Sequence, residues 1–284
     1  MKTKAYAKIN LALAVKGTLP NGYHDLFMVN SRIDLFDIIS IRKSKIEKFK
    51  MSKDLCPTEK NIGYKAMKAV KEKYGIENNY SINIKKKIPS GAGLGGGSAD
   101  AAAIIQGILK LENIAYKNKD LIDLCSSLGA DVPYCLYKEK CIVTGIGEKI
   151  EKVHMNKEYL VLLASPPLSF STKQIFENHK QTQTEANIEA ILKNINDPVK
   201  YLFNDLELTA KELYPEYKLD EIKTDMNKCG ALTSLMTGSG SSIYGLFELN
   251  DKSKIKKCMK ALKNKYPEIM ITIIKTISTW IKKK

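Results

Sequence analysis

The sequence predicts a two-domain protein of the α+β class, and three observations support this prediction. The chain has 284 residues, which is enough for two domains that each bury a core. Strand-like and helical patterns follow one another irregularly, so neither a barrel nor a single wound sheet is expected. The run from Tyr159 to Pro167 begins with apolar residues without interruption, as a central strand does. A boundary just before this run gives predicted domains of residues 1–157 and 158–284.

Elements of the first predicted domain follow from the spacing of apolar residues. From Ala5 to Val15 every odd position is apolar, which predicts a strand with one buried face. A turn is predicted from Asn21 to His24, and a pair of strand segments between residues 26 and 41. The further elements, in order, are a helix over 61–73, a strand over 80–85, an Ala-rich helix, a helix over 119–128 capped by Asn118 and ended by Gly129, and a hairpin around Gly145 and Gly147.

The second predicted domain mixes short helices and strands after its central strand. Helical spacing predicts helices over 172–178, 185–193, 206–213, 216–228 and 254–266. Strands are expected over 234–236, 243–247 and 269–277. A second glycine-rich turn, Thr237 to Ser242, separates two of these strands.

A glycine-rich segment, PSGAGLGGGSA from Pro89 to Ala99, lies before the Ala-rich helix and contains five glycines between Gly91 and Gly97. Glycine reaches positive φ and lets an anion approach the peptide N–H groups, since no Cβ intervenes. The helix that follows adds its own unpaired N–H groups and the positive end of its dipole. Ser98 is expected at or near the helix cap. The segment therefore predicts a phosphate-binding loop.

Several classes of phosphate loop contain glycine, and most of them do not fit. A Walker A loop requires Lys after its last glycine, whereas Ser98 follows Gly97 here. The segment satisfies G-x-G-x-x-G, but Glu112, the acid at the expected distance, ends a helical pattern with no strand before it, so dinucleotide binding is a minor alternative. The HRD and DFG tripeptides of protein kinases do not occur in the sequence. A flexible linker is disfavoured because such linkers do not run directly into an Ala-rich helix.

The composition excludes several other classes of protein. The N-terminus lacks the apolar stretch of a signal peptide and no run of about 18 apolar residues is present, so a cytoplasmic protein without membrane association is expected. Six cysteines show neither a CxxC pair nor zinc-ligand spacing, which predicts reduced thiols and no protein-bound metal site. The net charge of +15 raises RNA binding as an alternative. Only two of the basic residues are arginines, however, and no basic run is interleaved with aromatic residues, so no nucleic-acid partner is expected.

Phosphoryl transfer needs a carboxylate to accept a proton and cations to neutralise the phosphates. Asp131 lies in the apolar sequence GADVPY, between a helix stop and a proline, which suits a poised base. A simple turn or cap Asp is the alternative. Lys8 lies in the middle of the first strand, where a solvated lysine on the outer face is the alternative to a phosphate-binding one.

The segments AKINLALAV, NGYH, PSGAGLGGGSADAAA, GADVPY, NDLE and TGSGSSIYGLF occur in this order between residues 4 and 265. Together they resemble the GHMP kinase superfamily and, within it, the kinases that act on a cytidine diphosphate derivative of methylerythritol. The resemblance implies a ribosomal-protein-like N-terminal α/β domain, a ferredoxin-like C-terminal α/β sandwich, and ATP and the small-molecule substrate as ligands. It implies transfer of phosphate from ATP to the 2-hydroxyl of that substrate. A homoserine or mevalonate kinase of the same superfamily and a non-catalytic RNA-binding protein are the alternatives.

The resemblance also implies roles for individual residues. Asp131 would accept the proton of the 2-hydroxyl, and Lys8 would lie beside it as a second catalytic residue. Ser98 would lie near Mg²⁺, which no protein carboxylate is placed to bind, and Asn61 would line the adenine pocket. The ATP phosphates would be bound by Pro89, Ser90, Gly91, Ala92, Gly93, Leu94, Gly95, Gly96, Gly97, Ser98 and Ala99. Many members of the superfamily have a second Ser where Ala99 stands here, so Ser98 is the only hydroxyl candidate at that point.

On the substrate side, the resemblance implies a cytidine site at Tyr23, His24 and Phe176. The two aromatic rings would sandwich the pyrimidine and His24 would bond its polar edge. Phe176 could equally serve as a core anchor of its helix. Asn10 and Thr172 are further substrate-binding candidates, and the oligomeric state stays open.

Overall fold

The computed structural model describes residues 1–20, 22–53, 55–155, 157–180 and 184–277. Asn21, the first residue of the predicted turn, lies outside these ranges. Across them, no helix combines the length and the apolar character that crossing a membrane would require.

The first half of the chain contains the predicted elements and two that the sequence did not predict. The segments expected as a pair of strands over 26–41 form one strand of 21 residues. The unpredicted elements are β3 and the one-turn helix α4. In chain order the elements are β1 (Lys2–Thr18), β2 (His24–Ser44), β3 (Lys48–Met51), α1 (Ile62–Lys73), β4 (Asn79–Lys85), α2 (Gly96–Leu111), α3 (Asn118–Leu128), α4 (Val132–Cys135), β5 (Cys141–Gly145) and β6 (Lys149–Lys152), with a 3-10 turn at Thr58–Lys60.

The second half follows the predicted order closely. Its elements are β7 (Leu160–Ser165), α5 (Thr172–Glu177), α6 (Glu185–Lys193), α7 (Leu206–Leu213), α8 (Leu219–Lys228), β8 (Thr233–Met236), β9 (Ile243–Phe247), α9 (Lys252–Lys265) and β10 (Met270–Lys275), with a 3-10 turn at Val199–Tyr201. The helix predicted from residue 216 begins at Leu219. The cap of α3 is Lys117 and not Asn118, while Gly129 ends that helix as expected.

Two compact units share the chain. Unit 1 consists of residues 1–7, 35–90 and 95–137, and unit 2 consists of residues 8–34, 91–94 and 138–284. Both units therefore contain part of β1 and part of β2. The predicted division at residues 157 and 158 stays a proposal about domains.

In unit 1, the second half of β2 pairs antiparallel with β4, and β3 pairs parallel with the other edge of β4. Helices α1 and α2 contribute the apolar residues that cover this sheet, and the core includes Ile39, Ile41, Ile82, Ile84, Ile104, Ile105 and Ile108. Gly107 permits close packing of α2, because a Cβ at that position would lie 2.5 Å from Ile41 Cδ1.

In unit 2, the first half of β2 pairs with β5, which also pairs with β6. A separate antiparallel sheet has the strand order β10-β7-β9-β8. The apolar strand β7 is an interior strand of this sheet, as its sequence predicts, since both faces of such a strand are covered. Helices α8 and α9 supply apolar side chains to the same unit, among them Ile222, Met226, Ile255 and Leu262.

Candidate active site

The N-terminus of α2 lies in unit 1 and begins directly after the central glycines. Gly95 is the cap, with φ of +66°, so Ser98, expected at or near the cap, is the third residue of the helix and not the cap itself. Ala99 makes the first bond of the helix, from its N–H to the carbonyl of Gly95 at 2.9 Å. A helix has no internal acceptors for its first N–H groups, which here belong to Gly96, Gly97 and Ser98. These donors and the helix dipole favour an anion at this end.

The middle of the glycine segment, residues 91–94, lies in unit 2 and packs against the second glycine turn. Gly93 has φ of +72°, and a Cβ on it would lie 2.0 Å from the carbonyl oxygen of Thr237. The Thr237 hydroxyl donates to the Gly93 carbonyl at 3.3 Å, and Ser242 N–H donates to the carbonyl of Ala92 at 3.3 Å. Only glycine fits at position 93, because any side chain would meet backbone.

Lys8 and Asn10 belong to a buried polar network in unit 2. Lys8 is 3% exposed, so the alternative of a solvated lysine is wrong. Its Nζ donates to Asn10 Oδ1 at 2.7 Å, and Asn10 Nδ2 donates to Asn30 Oδ1 at 2.7 Å. The Asn10 backbone is held as well, because its N–H donates to Thr237 Oγ1 at 3.0 Å and its carbonyl accepts from Tyr244 OH at 2.9 Å. The network orients the ammonium of Lys8.

Asp131 lies in unit 1, at the cap position of α4. It is half-buried, and its side chain makes no capping bond to that helix, so capping does not account for the carboxylate. Val132, Pro133 and Tyr134 after it are buried. Lys8 belongs to the other unit, and the expected pairing of Lys8 with Asp131 stays a prediction.

Four of the predicted substrate residues lie in two segments of unit 2, around the start of β2 and in α5. The rings of His24 and Phe176 are stacked, with centroids 5.2 Å apart and 26° between their planes. Phe176 is half-buried, and the buried residue of α5 is Ile175, so a core anchor at Phe176 is disfavoured. Tyr23 is 61% exposed. The hydroxyl of Thr172 is 2.9 Å from Ser239 Oγ, in the second glycine turn.

Asn61 has a structural role at the start of α1. Its Oδ1 accepts from Gly63 N–H at 2.8 Å and from Tyr64 N–H at 3.4 Å, which caps the helix. Its Nδ2 is directed at the sulfur of Met51, 3.0 Å away. A role in an adenine pocket therefore stays a prediction, to be separated by experiment from this capping role.

Other residues that hold this part of unit 2 were not predicted as functional, among them Thr237 and Asn204. Thr237 lies in the second glycine turn, which was visible in the sequence but carried no motif that assigns a role. Asn204, from the NDLE segment, holds that turn: its Nδ2 donates to the carbonyls of Met236 and Gly238 at 2.9 and 2.8 Å, and its Oδ1 accepts from Leu206 N–H at 3.0 Å. Within the described residues, no three His, Cys, Asp or Glu side chains are grouped as a metal site would need.

Comparison with known proteins identifies the family. Residues 61–139 match the GHMP kinases N terminal domain and residues 184–268 match the GHMP kinases C terminal domain. The 4-diphosphocytidyl-2-C-methyl-D-erythritol kinase of Clostridium botulinum (strain Eklund 17B / Type B) is 38% identical over 279 residues, which cover 96% of this chain and 99% of the relative. The chain belongs to the 4-diphosphocytidyl-2-C-methyl-D-erythritol kinase family.

The structural comparison agrees with this family. A crystal structure of 4-(cytidine 5'-diphospho)-2C-methyl-D-erythritol kinase superposes with a TM-score of 0.76 at 28% identity, covering 96% of this chain and 99% of the other. The mevalonate kinase of Methanococcus jannaschii has a TM-score of 0.71 at 19% identity, covering 98% of both chains, and shows the shared fold alone. The predicted α+β GHMP kinase architecture is confirmed. The chain is an ATP-dependent kinase of this family, and the homologues do not support the RNA-binding alternative.

Proposed function

We propose that this kinase transfers the γ-phosphoryl group of ATP to the 2-hydroxyl of 4-diphosphocytidyl-2-C-methyl-D-erythritol, a step in the synthesis of isoprenoid precursors. The proposal rests above all on the near full-length similarity to kinases named for this substrate. Homoserine and mevalonate kinases share the fold at 22% and 19% identity, which does not assign a substrate. A cytoplasmic location stays a prediction from the sequence.

The N-terminus of α2 and the glycine segment before it are the proposed site of the ATP phosphates. The N–H groups of Gly96, Gly97 and Ser98 lie at the positive end of the helix dipole. Gly97 is exposed, so phosphate oxygens can approach these N–H groups there. The half-buried hydroxyl of Ser98 is the proposed protein contact to Mg²⁺, an ion that otherwise keeps phosphate and water ligands. When bound, Mg²⁺ neutralises charge on the β and γ oxygens.

Asp131 and Lys8 are the proposed catalytic residues. The carboxylate of Asp131 would accept the proton of the attacking hydroxyl, and the ammonium of Lys8 would stabilise negative charge on the transferred group. Lys8 suits this role because it is buried and its Nζ is oriented by Asn10 at 2.7 Å. An ammonium fixed in advance needs no reorganisation during the reaction.

The cytidine moiety is proposed to bind near Tyr23, His24 and Phe176. His24 and Phe176 are already stacked on one another, so a base would either stack on the outer face of this pair or separate it. The exposed ring of Tyr23 supplies a second aromatic face. Asn10 and Thr172 are proposed contacts to the methylerythritol part.

The proposal is tested with a panel of acceptors and two variants in unit 1. The purified kinase is incubated with ATP, Mg²⁺ and the cytidine substrate, homoserine or mevalonate, and the phosphorylated product is quantified by mass spectrometry. Asp131→Asn is expected to lower kcat by about 10²- to 10⁴-fold, the usual contribution of a general base. The control Asp123→Asn removes an exposed carboxylate of α3 and should keep wild-type kcat. Phosphorylation of homoserine or mevalonate without turnover of the cytidine substrate would refute the substrate assignment.

A further inference from the structure

Three ionisable side chains of unit 1 are buried together near the two ends of the glycine segment. Asp37, Lys86 and Asp100 are 0%, 9% and 4% exposed, and we call them the Asp37 cluster. Lys86 Nζ donates to Asp37 Oδ2 at 2.5 Å and to Asp100 Oδ2 at 2.6 Å. Buried charges are costly unless they are paired, and even paired ones add little stability. General stability therefore does not explain why such a cluster is present.

Asp37 holds the chain where it leaves the sheet. Strand β4 ends at Lys85, which is paired with Ile38 of β2. The backbone N–H groups that follow Lys85 therefore lie beyond the paired residues of β2 and β4. Asp37 Oδ1 accepts from the N–H of Lys87 at 2.5 Å and from the N–H of Ile88 at 3.0 Å. The carboxylate thereby fixes the two residues that precede Pro89, the first residue of the glycine segment.

Asp100 holds the other end of the segment. It lies in α2, five residues after the Gly95 cap, and shares the Lys86 ammonium with Asp37. The same two ends also touch directly, since a Cβ on Gly96 would lie 2.9 Å from Ile88 Cγ2. One ammonium therefore joins the entry of the glycine segment to the helix whose N–H groups are proposed to bind phosphate.

We infer that the Asp37 cluster positions the N-terminus of α2 for the phosphates of ATP. Its members are positioning residues, because each acts through the backbone or the helix and not on the substrate. A helix N-terminus stabilises phosphate only when its N–H groups meet the oxygens at hydrogen-bond distance. The inference rests on the proposed phosphate site at residues 96–98.

The opposite end of α2 offers a matched control. Glu112 follows the last residue of the helix and accepts from Tyr80 OH at 2.5 Å, from Lys43 Nζ at 2.8 Å and from Asn78 Nδ2 at 3.1 Å. This carboxylate also joins a strand to α2 through several strong bonds. Removing its charge with Glu112→Gln should affect stability but not the affinity for ATP.

Asp37→Asn is the main test. The amide keeps one oxygen for the N–H groups of Lys87 and Ile88, but its NH₂ group would face Lys86 Nζ, donor against donor. We expect KM for ATP to rise about tenfold or more, the scale of one lost hydrogen bond to a charged group. KM for the cytidine substrate should stay within about twofold, since uniform damage to the fold would change both constants. A purely structural role predicts lower thermal stability for Asp37→Asn and Glu112→Gln alike, with no selective change for ATP.

Asp100 gives an independent test with its own rescue. Asp100→Ala removes the acceptor of Lys86 and should raise KM for ATP about tenfold, whereas Asp100→Asn keeps an oxygen there and should stay within about threefold of wild type. Should Asp37→Asn fail to fold, Asp100→Ala decides by the same measurement. If the variants that fold, Asp37→Asn or Asp100→Ala, keep the wild-type KM for ATP, the inference is wrong.

Gly97→Asp separates this inference from the phosphate site itself. Gly97 is exposed in the first turn of α2. An Asp side chain there would interact favourably with the helix dipole but would repel phosphate. Its Cβ would lie 3.1 Å from a methyl group of Ile62, which requires a shift of only a few tenths of an ångström. Unchanged ATP affinity in Gly97→Asp would refute the phosphate site. Weaker ATP binding in Gly97→Asp, together with wild-type ATP binding in Asp37→Asn and Asp100→Ala, would refute the positioning role of the Asp37 cluster but not the phosphate site.

Discussion

Asp100→Asn is expected to change how the free energy of unfolding depends on pH. Burial in α2 raises the pKa of the Asp100 carboxyl, Lys86 opposes the rise, and the nearby Asp37 adds to it, so that the pKa moves from 3.8 to about 7. In the unfolded chain the group keeps its ordinary pKa and ionises near pH 4. Between these values the unfolded chain gives up a proton that the folded protein retains, which favours unfolding.

The sign and the size follow from this difference. The stabilising contribution of Asp100 is fully present below pH 3.8 and is lost as the pH rises to about 7. Each unit of pH in this range costs about 1.4 kcal/mol, so the wild type should lose about 3 kcal/mol between pH 5 and pH 8 that Asp100→Asn does not lose. Lys86 stays charged throughout, because its pKa is raised above its ordinary 10.5 by the two carboxylates, against the effect of its burial.

The assay is urea unfolding of the wild type and of Asp100→Asn at pH 5 and pH 8, at one ionic strength. The control is Glu112→Gln. Burial raises the pKa of Glu112, but hydrogen bonds from Lys43, Tyr80 and Asn78 outweigh it and lower the pKa below its ordinary 4.5. Glu112 loses its contribution only in more acidic solution, so the difference between Glu112→Gln and wild type should be constant from pH 5 to pH 8. A constant difference for Asp100→Asn, or a wild type that gains stability over it with rising pH, would refute the reasoning.

Three further predictions test the packing within each unit. Asn204→Asp places a carboxylate against the carbonyls of Met236 and Gly238 and should destabilise the fold by about 2–4 kcal/mol, measured by urea unfolding; a loss below about 1 kcal/mol would contradict the contacts. Tyr244→Phe removes the buried bond to the Asn10 carbonyl and should cost about 1–2 kcal/mol in the same assay. In thiol titration of the native kinase, exposed Cys56 should react rapidly, whereas Cys125 and Cys141 should react only on unfolding, because burial raises the pKa of each to about 12. Rapid reaction of either buried thiol would contradict their placement.

The sequence predicted those elements that depend on local patterns. Alternation from Ala5 to Val15 identified β1, and the apolar run at residues 160–164 identified the interior strand β7, because burial is recorded in neighbouring residues. The prediction that β1 buries only one face was wrong, since Lys8 and Asn10 on its other face are buried as well. Strand β2 was divided wrongly. Asn30 and Ser31 interrupt its apolar pattern, yet both are fully buried, since a polar network in the folded protein satisfies groups such as Asn30 Oδ1.

The site was predictable where a motif carries it and not where distant residues combine. The glycine segment and Lys8 were found from the sequence and the resemblance. The Asp37 cluster was missed because its members lie 49 and 14 residues apart, and because Lys86 stands in a run of three lysines that is typical of a solvated surface. One signal was present. Asp100 interrupts the Ala-rich face of α2, and a charge among buried alanines indicates a buried partner.

The division of the chain into two units has a consequence for the order in which the protein can fold. The chain passes from one unit to the other after Ala7, Asp34, Ser90, Leu94 and Tyr137. Residues 8–34 leave the ribosome early, yet Asn10 bonds to Thr237 and Tyr244, which are synthesised 227 and 234 residues later. Contacts so distant in sequence are closed slowly. The ammonium of Lys8, in the same strand as Asn10, can therefore be fixed in place only after nearly the whole chain has been synthesised.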